Sequence, residues 1–131
     1  MPSAVDTNVF VRFLVEDGSK DSTLARNVFS AGQVFVALSV ILETEWVLRS
    51  NFGFKRGQIC DAFDRVLGSP SIVVQERHIV EAAIEATRSG VDFADALHLN
   101  SAVDCEVFYT FDKKLIRKAN QILPAFSARR P

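Results

Sequence analysis

Short apolar runs alternate with longer segments of helical period along this chain, and that alternation restricts the fold more than any other feature. The runs span residues 3–6, 33–38, 71–74, 106–110 and 125–127. Each is too short for a stable helix yet apolar enough for a strand covered on both faces. Strands of that kind separated by helices build a largely parallel sheet. The expected fold class is therefore α/β, a three-layer arrangement in which a mostly parallel central sheet of four to five strands is flanked by helices.

The intervening segments supply the helices. The first runs from Asn8 to Val15 and stops in the loop "EDGSKD"; the second, Ser22 to Ala31, places Leu24 and Val28 on one side and ends at Gly32. Ser39 is placed to cap "SVILETEWVLRSN", and a fourth helix from Arg56 to Leu67 stops at "GSP". In "HIVEAAIEATRSG", Ile79, Ala83 and Ala86 recur at helical spacing before Gly90. The segments "DFADALHLNSAV" and "KKLIRKA" complete the set. No repeat, low-complexity tract or linker interrupts the 131 residues, so the expectation is a single domain over residues 1–131.

With 15 basic and 16 acidic residues the formal charge is −1, so the whole-molecule field neither attracts nor repels a polyanion strongly, and any nucleic-acid contact has to be local. Cys60 and Cys105 lack paired spacing, which fits a reduced intracellular compartment better than a disulfide framework or a zinc site. No segment has the length needed to cross a bilayer, and none reads as a leader; a soluble, cytoplasmic protein is expected.

Against this ordinary background, certain acids stand out. Asp6 interrupts the apolar "SAVDTNVFVRFLV" where a strand gives way to a helix, at the strand end where open parallel sheets bind ligands. Taken alone, Asp6 or Thr7 reads as a helix cap. Asp112 repeats the arrangement in "EVFYTFD", whereas Asp104 precedes the same strand and belongs on the surface. Glu43 has Ser39, Val40, Trp46 and Val47 one turn away, a mostly apolar face on which desolvation would raise a carboxyl pKa; a partly exposed acid at the helix rim is the alternative. Glu45 sits four residues before Arg49, the spacing of a solvated ion pair. Asp92 and Asp95 open a helix in "GVDFADALHL"; Asp92 reads as its cap, and Asp95 lies one turn inside among small alanines. Clustered carboxylates repel and are stable mainly around a divalent cation, and oxygen-only ligands suit magnesium or manganese. His78 reads as a surface residue, and His98 as a structural one or as a hydrogen-bonding neighbour of Asp95.

"DTNVFVR", "LETEWVLR", "DFADALH" and "TFD" resemble, in this order, the four acidic motifs of PIN-domain ribonucleases, and are most similar to the VapC-type toxins of toxin–antitoxin pairs. The likeness runs from Asp6 to the final strand. It implies an Mg2+- or Mn2+-dependent endoribonuclease with Asp6, Glu43, Asp95 and Asp112 as catalytic and metal-binding residues. Thr7, Asn8 and Thr110 are then polar supports, and Asp92 at most a helper. It also implies an RNA substrate, a small antitoxin and a homodimer. Arg12, Lys113, Lys114, Arg117 and Lys118 are the candidates for phosphate contacts, set against their reading as the solvated face of a helix. A housekeeping nuclease, a phosphate-accepting signalling domain and a catalytically silent binding module are the other readings; the signalling domain wants paired acids after the first strand, where Ala4 and Val5 precede a lone Asp6. Phe52, Phe54, Ile59, Phe63 and Leu67 read individually as core and, as a group, as a dimer seam or an antitoxin groove.

Overall fold

A computed structural model describes all 131 residues, which form two compact units, Met1–His78 and Ile79–Pro131. In the first, β1 (Ser3–Ala4), α1 (Thr7–Leu14), α2 (Lys20–Ser30), β2 (Val34–Val36), α3 (Leu38–Asn51), α4 (Arg56–Leu67) and β3 (Ile72–Val74) follow in order. The strands make a parallel sheet ordered β1-β2-β3, with Ser3 opposite Val34 and Val34 opposite Ile72. Parallel strands need crossovers, and the helices between them supply these. Val34, Val36, Ile72 and Val74 are buried while Val73 between them is exposed, the period of two that a strand imposes.

Phe10, Ile41, Leu48, Ile59 and Phe63 form the core of this unit. Phe10 and Phe13 of α1 both stack on Phe29 of α2, with ring centroids 6.2 and 3.8 Å away. Burying each such ring contributes about 2–3 kcal/mol, which fixes α1 against its neighbour and so fixes the residue at its N-terminus.

Leu24 and Val28 share one side of α2, as expected, and that side is exposed; the buried side carries Ser22, Ala25 and Phe29, and the helix starts at Lys20 rather than Ser22, with Ser19 capping it at Ser22 N. Ser39 does not cap α3. The helix begins one residue earlier, and Gln75 Oε1 accepts the Leu38 N–H at 2.9 Å from the end of β3. Of the five apolar residues around α4, Ile59, Phe63 and Leu67 are core, whereas Phe52 is exposed and Phe54 half-buried.

Most of α5 (Arg77–Arg88), with α6 (Phe93–Ser101), β4 (Phe108–Tyr109), α7 (Lys113–Ile122) and β5 (Ala128–Arg129), belongs to the second unit. Val80, Ala83, Ile84, Phe93, Leu97, Leu99 and Leu115 are buried in it. The α5–α6 corner is a Schellman turn: Val91 N–H donates to Ala86 O, Gly90 N–H to Thr87 O, and Gly90 takes φ 110°, open to glycine at little cost.

The α/β class holds, but the expected single sheet of four to five strands is a three-stranded sheet plus a parallel β4-β5 pair. The last strand also lies beyond residues 125–127, at Ala128–Arg129. The reason is local. Polar residues that start the next helix, Asp6 after β1 and Asp112 after β4, cut each strand to two residues and leave little edge for a longer ladder.

Candidate active site

Asp6 is the N-cap of α1. Its backbone is extended (φ −89°, ψ 179°), and its Oδ1 accepts the Val9 N–H at 3.0 Å. Capping and ligand binding do not compete here, because the bond occupies one carboxylate oxygen and the other is left for a cation or water. Thr7, the next residue, donates its hydroxyl to Glu43 Oε1 in a hydrogen bond that ties α1 to α3. The two carboxylates that the sequence separates widely thus line one open cleft of ≈ 590 Å³, together with Asn8, Arg12, Val40, Val47, Asn51 and Phe52.

Of the two readings of Glu43, the exposed acid at the helix rim holds, and it is Glu45, expected as a solvated partner of Arg49, that departs from expectation. Glu43 is exposed, and Glu45 is buried at 6% exposure, with Arg49 Nε 2.8 Å from its Oε2. The stripe facing the core is Ile41, Thr44, Glu45 and Leu48. Val40 and Val47, whose apolar character suggested a buried setting for Glu43, are walls of the cleft instead. Arg12 lies there as well, its guanidinium 6.0 Å from the Phe52 ring centroid and 3.5 Å from Asp17. Asn51 and Phe52, which the sequence did not single out for this cleft, complete its wall; their only signal was their position just over two turns beyond Glu43.

The second unit carries the other acids. Asp112 caps α7: its Oδ1 accepts the Lys114 and Leu115 N–H groups at 3.0 and 3.1 Å, and its own N–H donates to Thr110 Oγ1 at 3.1 Å. Asp95 stands in the first turn of α6 and is half-buried. Asp92 occupies the N-cap position of α6 without a side-chain cap bond, so the capping role expected of it is not made. Its charge instead acts on Asp95. Burial raises the Asp95 pKa above the ordinary 3.8, repulsion from Asp92 and Asp112 raises it further, and His98 opposes the shift. His98 is exposed, as is His78, which sits 3.7 Å from Glu76. Lys113, Lys114 and Arg117 are exposed on α7 directly after Asp112, while Lys118 Nζ donates to Ser89 O at 3.2 Å. Asp104 is exposed ahead of β4.

Within neither unit do three His, Cys, Asp or Glu side chains come close enough to form a closed metal cage. The donors still suit a hard divalent ion. They are carboxylate oxygens, magnesium takes only one or two such ligands directly, and a cation relieves the repulsion that Asp92 and Asp112 impose on Asp95.

That repulsion has a measurable consequence. In metal-free protein the native state keeps the Asp95 proton to higher pH than the unfolded chain does, so it binds more protons over the window above 3.8, and stability falls as pH rises through that window. Thermal melts in EDTA from pH 4 to 7 are expected to show this decline, and Asp95→Asn to flatten it while raising the melting temperature at pH 7. An Asp95→Asn variant with the same pH slope as the parent would contradict the account.

Comparison with known protein families gives a match to the family described as the PIN domain, over residues 4–121. No curated protein matches the chain.

Proposed function

The chain belongs to the PIN domain family, whose members are in general divalent-metal-dependent nucleases, and on that premise we propose that it is an endoribonuclease acting as the toxin of a toxin–antitoxin pair. Asp6, Glu43, Asp95 and Asp112 are its acidic set and would hold magnesium or manganese. When bound, the cation supplies positive charge against the phosphodiester and lowers the pKa of water toward neutrality.

The chain's own residues do the positioning. Thr7 holds the Glu43 carboxylate at the mouth of the cleft, and the Val9 amide holds that of Asp6. Thr110 and the first amides of α7 orient Asp112. Asn8 and Arg12 offer donors to a phosphate from the cleft wall, and in the second unit Lys113, Lys114 and Arg117 follow Asp112 with the positive charge that a near-neutral protein needs for a polyanion. The observation that carries the reading is the coupling of Asp6 to Glu43 through Thr7: two acids far apart in sequence and joined at one cleft are not explained by capping alone.

The antitoxin and the homodimer follow from the same likeness to VapC-type toxins, and a cytoplasmic setting from the unpaired spacing of Cys60 and Cys105. Leu24 and Val28, exposed on α2 beside Val9, form an apolar strip of the kind an amphipathic helix docks on. No helix is long and apolar enough to cross a membrane.

The test uses RNA labelled at both ends. Internal cuts in the presence of Mg2+ or Mn2+, lost in EDTA and restored by the metal, are expected; end-trimming alone, or undiminished cutting in EDTA, would overturn the activity. Growth arrest on expression, relieved by the product of an adjacent small gene, distinguishes the toxin from a housekeeping nuclease.

A further inference from the structure

Beside Asp112, the strand pair β4-β5 presents aromatic rings to solvent that the active-site reading does not use. Strand alternation sends Phe108 inward, its ring 6.2 Å from that of the buried Phe126, and turns Tyr109 outward. Phe111, two residues on, faces outward again. Tyr109 is 57% and Phe111 72% exposed. Each is partnered only by an arginine from the opposite segment: Arg129, in register with Tyr109, has its guanidinium 5.7 Å from the Tyr109 ring centroid, and Arg130 lies 5.8 Å from that of Phe111.

Neither ring contributes much to the core at such exposure, and a cation–π contact in water is weak. Two exposed aromatics two residues apart, each flanked by a guanidinium, are however what unpaired nucleobases stack on. Flat rings and guanidinium planes take the base faces while the cations meet the phosphates. Charge complementarity supports this occupant over an apolar protein surface, because Arg129 and Arg130 flank the two rings and Lys113 and Lys114 follow Asp112 directly. A duplex hides its base faces in its own stack and offers nothing to such rings.

We infer that Tyr109 and Phe111, with Arg129 and Arg130, form a base-stacking subsite that holds one or two unpaired nucleotides of the RNA next to Asp112. The inference rests on the nuclease reading and names the residues that grip the bases beside that site. Tyr109 and Phe111 are positioning residues that act through the bases and leave the reacting phosphate to the acids.

Binding in EDTA, where no cutting occurs, separates this inference from the activity. The probes are a ten-nucleotide oligouridylate and the same sugar–phosphate chain without bases. The intact protein is expected to prefer the base-bearing strand by roughly tenfold or more for each stacked base, and a Tyr109→Ala/Phe111→Ala variant to lose that preference while binding the abasic chain as before. Tyr109→Phe retains it. As Tyr109 is the sole tyrosine, fluorotyrosine incorporation gives one 19F resonance, which shifts with the single strand and not with a duplex of equal length. Equal affinity for both probes, or an unchanged preference in the double variant, overturns the subsite even if the protein cuts RNA. If light scattering shows instead that the double variant turns an oligomer into a monomer with RNA affinity intact, the rings are a protein interface and the inference is wrong.

Discussion

Asp6→Asn is expected to cost about 4 kcal/mol of transition-state stabilisation, a loss of roughly a thousandfold in RNA cleavage, with little change in stability. The substitution is chosen because Asp6 has two jobs that this variant pulls apart. Asparagine keeps an oxygen that accepts the Val9 N–H, and as an N-cap it is nearly as good as aspartate, so α1 starts where it did. What disappears is the charge. Loss of the favourable interaction with the helix dipole costs about 0.3–1 kcal/mol at most. Asp112→Asn makes the same separation at the start of α7, where the side chain accepts two amides. The measurement pairs initial cleavage rates at saturating Mg2+ with melting temperatures of the same samples. Near-normal cleavage by Asp6→Asn would reduce this residue to a cap and remove it from the acidic set.

Phe10→Ala has the opposite signature. Phe10 is fully buried and stacks on Phe29, so its removal leaves a cavity beneath the helix that presents Asp6 and Thr7. The expected cost is about 3–5 kcal/mol, on the order of 10–20 °C in melting temperature for a chain of this length. At low temperature, where the folded fraction remains high, cleavage per folded molecule is expected to stay within about tenfold of the parent, with the deficit growing on warming as the folded fraction falls. A variant that melts normally would show that the α1–α2 stack contributes little. One that melts normally and yet cuts nothing would place Phe10 in the chemistry, contrary to its burial.

Much of the architecture was legible because periodicity is a local property. Strands around residues 34–36 and 72–74 and helices such as Arg56–Leu67 lay where the apolar pattern put them. The ordered acids were legible for a different reason: a carboxylate at the end of an apolar run has no place in a core and so marks a strand–helix junction, which Asp6 and Asp112 both occupy.

The points that the local pattern left open or misjudged share a cause. Leu24 and Val28 do form an apolar side of α2, and Glu43 does have apolar neighbours, yet periodicity says only which residues share a face, and not what the face meets. Phe29 on α2 and Leu48 on α3 settled that by packing inward, which turned Leu24 and Val28 outward and placed Glu43 at the cleft while Glu45 was drawn in with Arg49. The Thr7–Glu43 bond and the cap that Gln75 gives α3 span 36 and 37 residues of chain, and no local pattern encodes them. Element type and the junction acids were therefore already written in the order of residues, since steric and solvation preferences act over a few positions. Which carboxylate met the cleft, which apolar side stayed wet, and which ring found an arginine depended on long-range packing, because those outcomes are set by competition among faces for one limited interior.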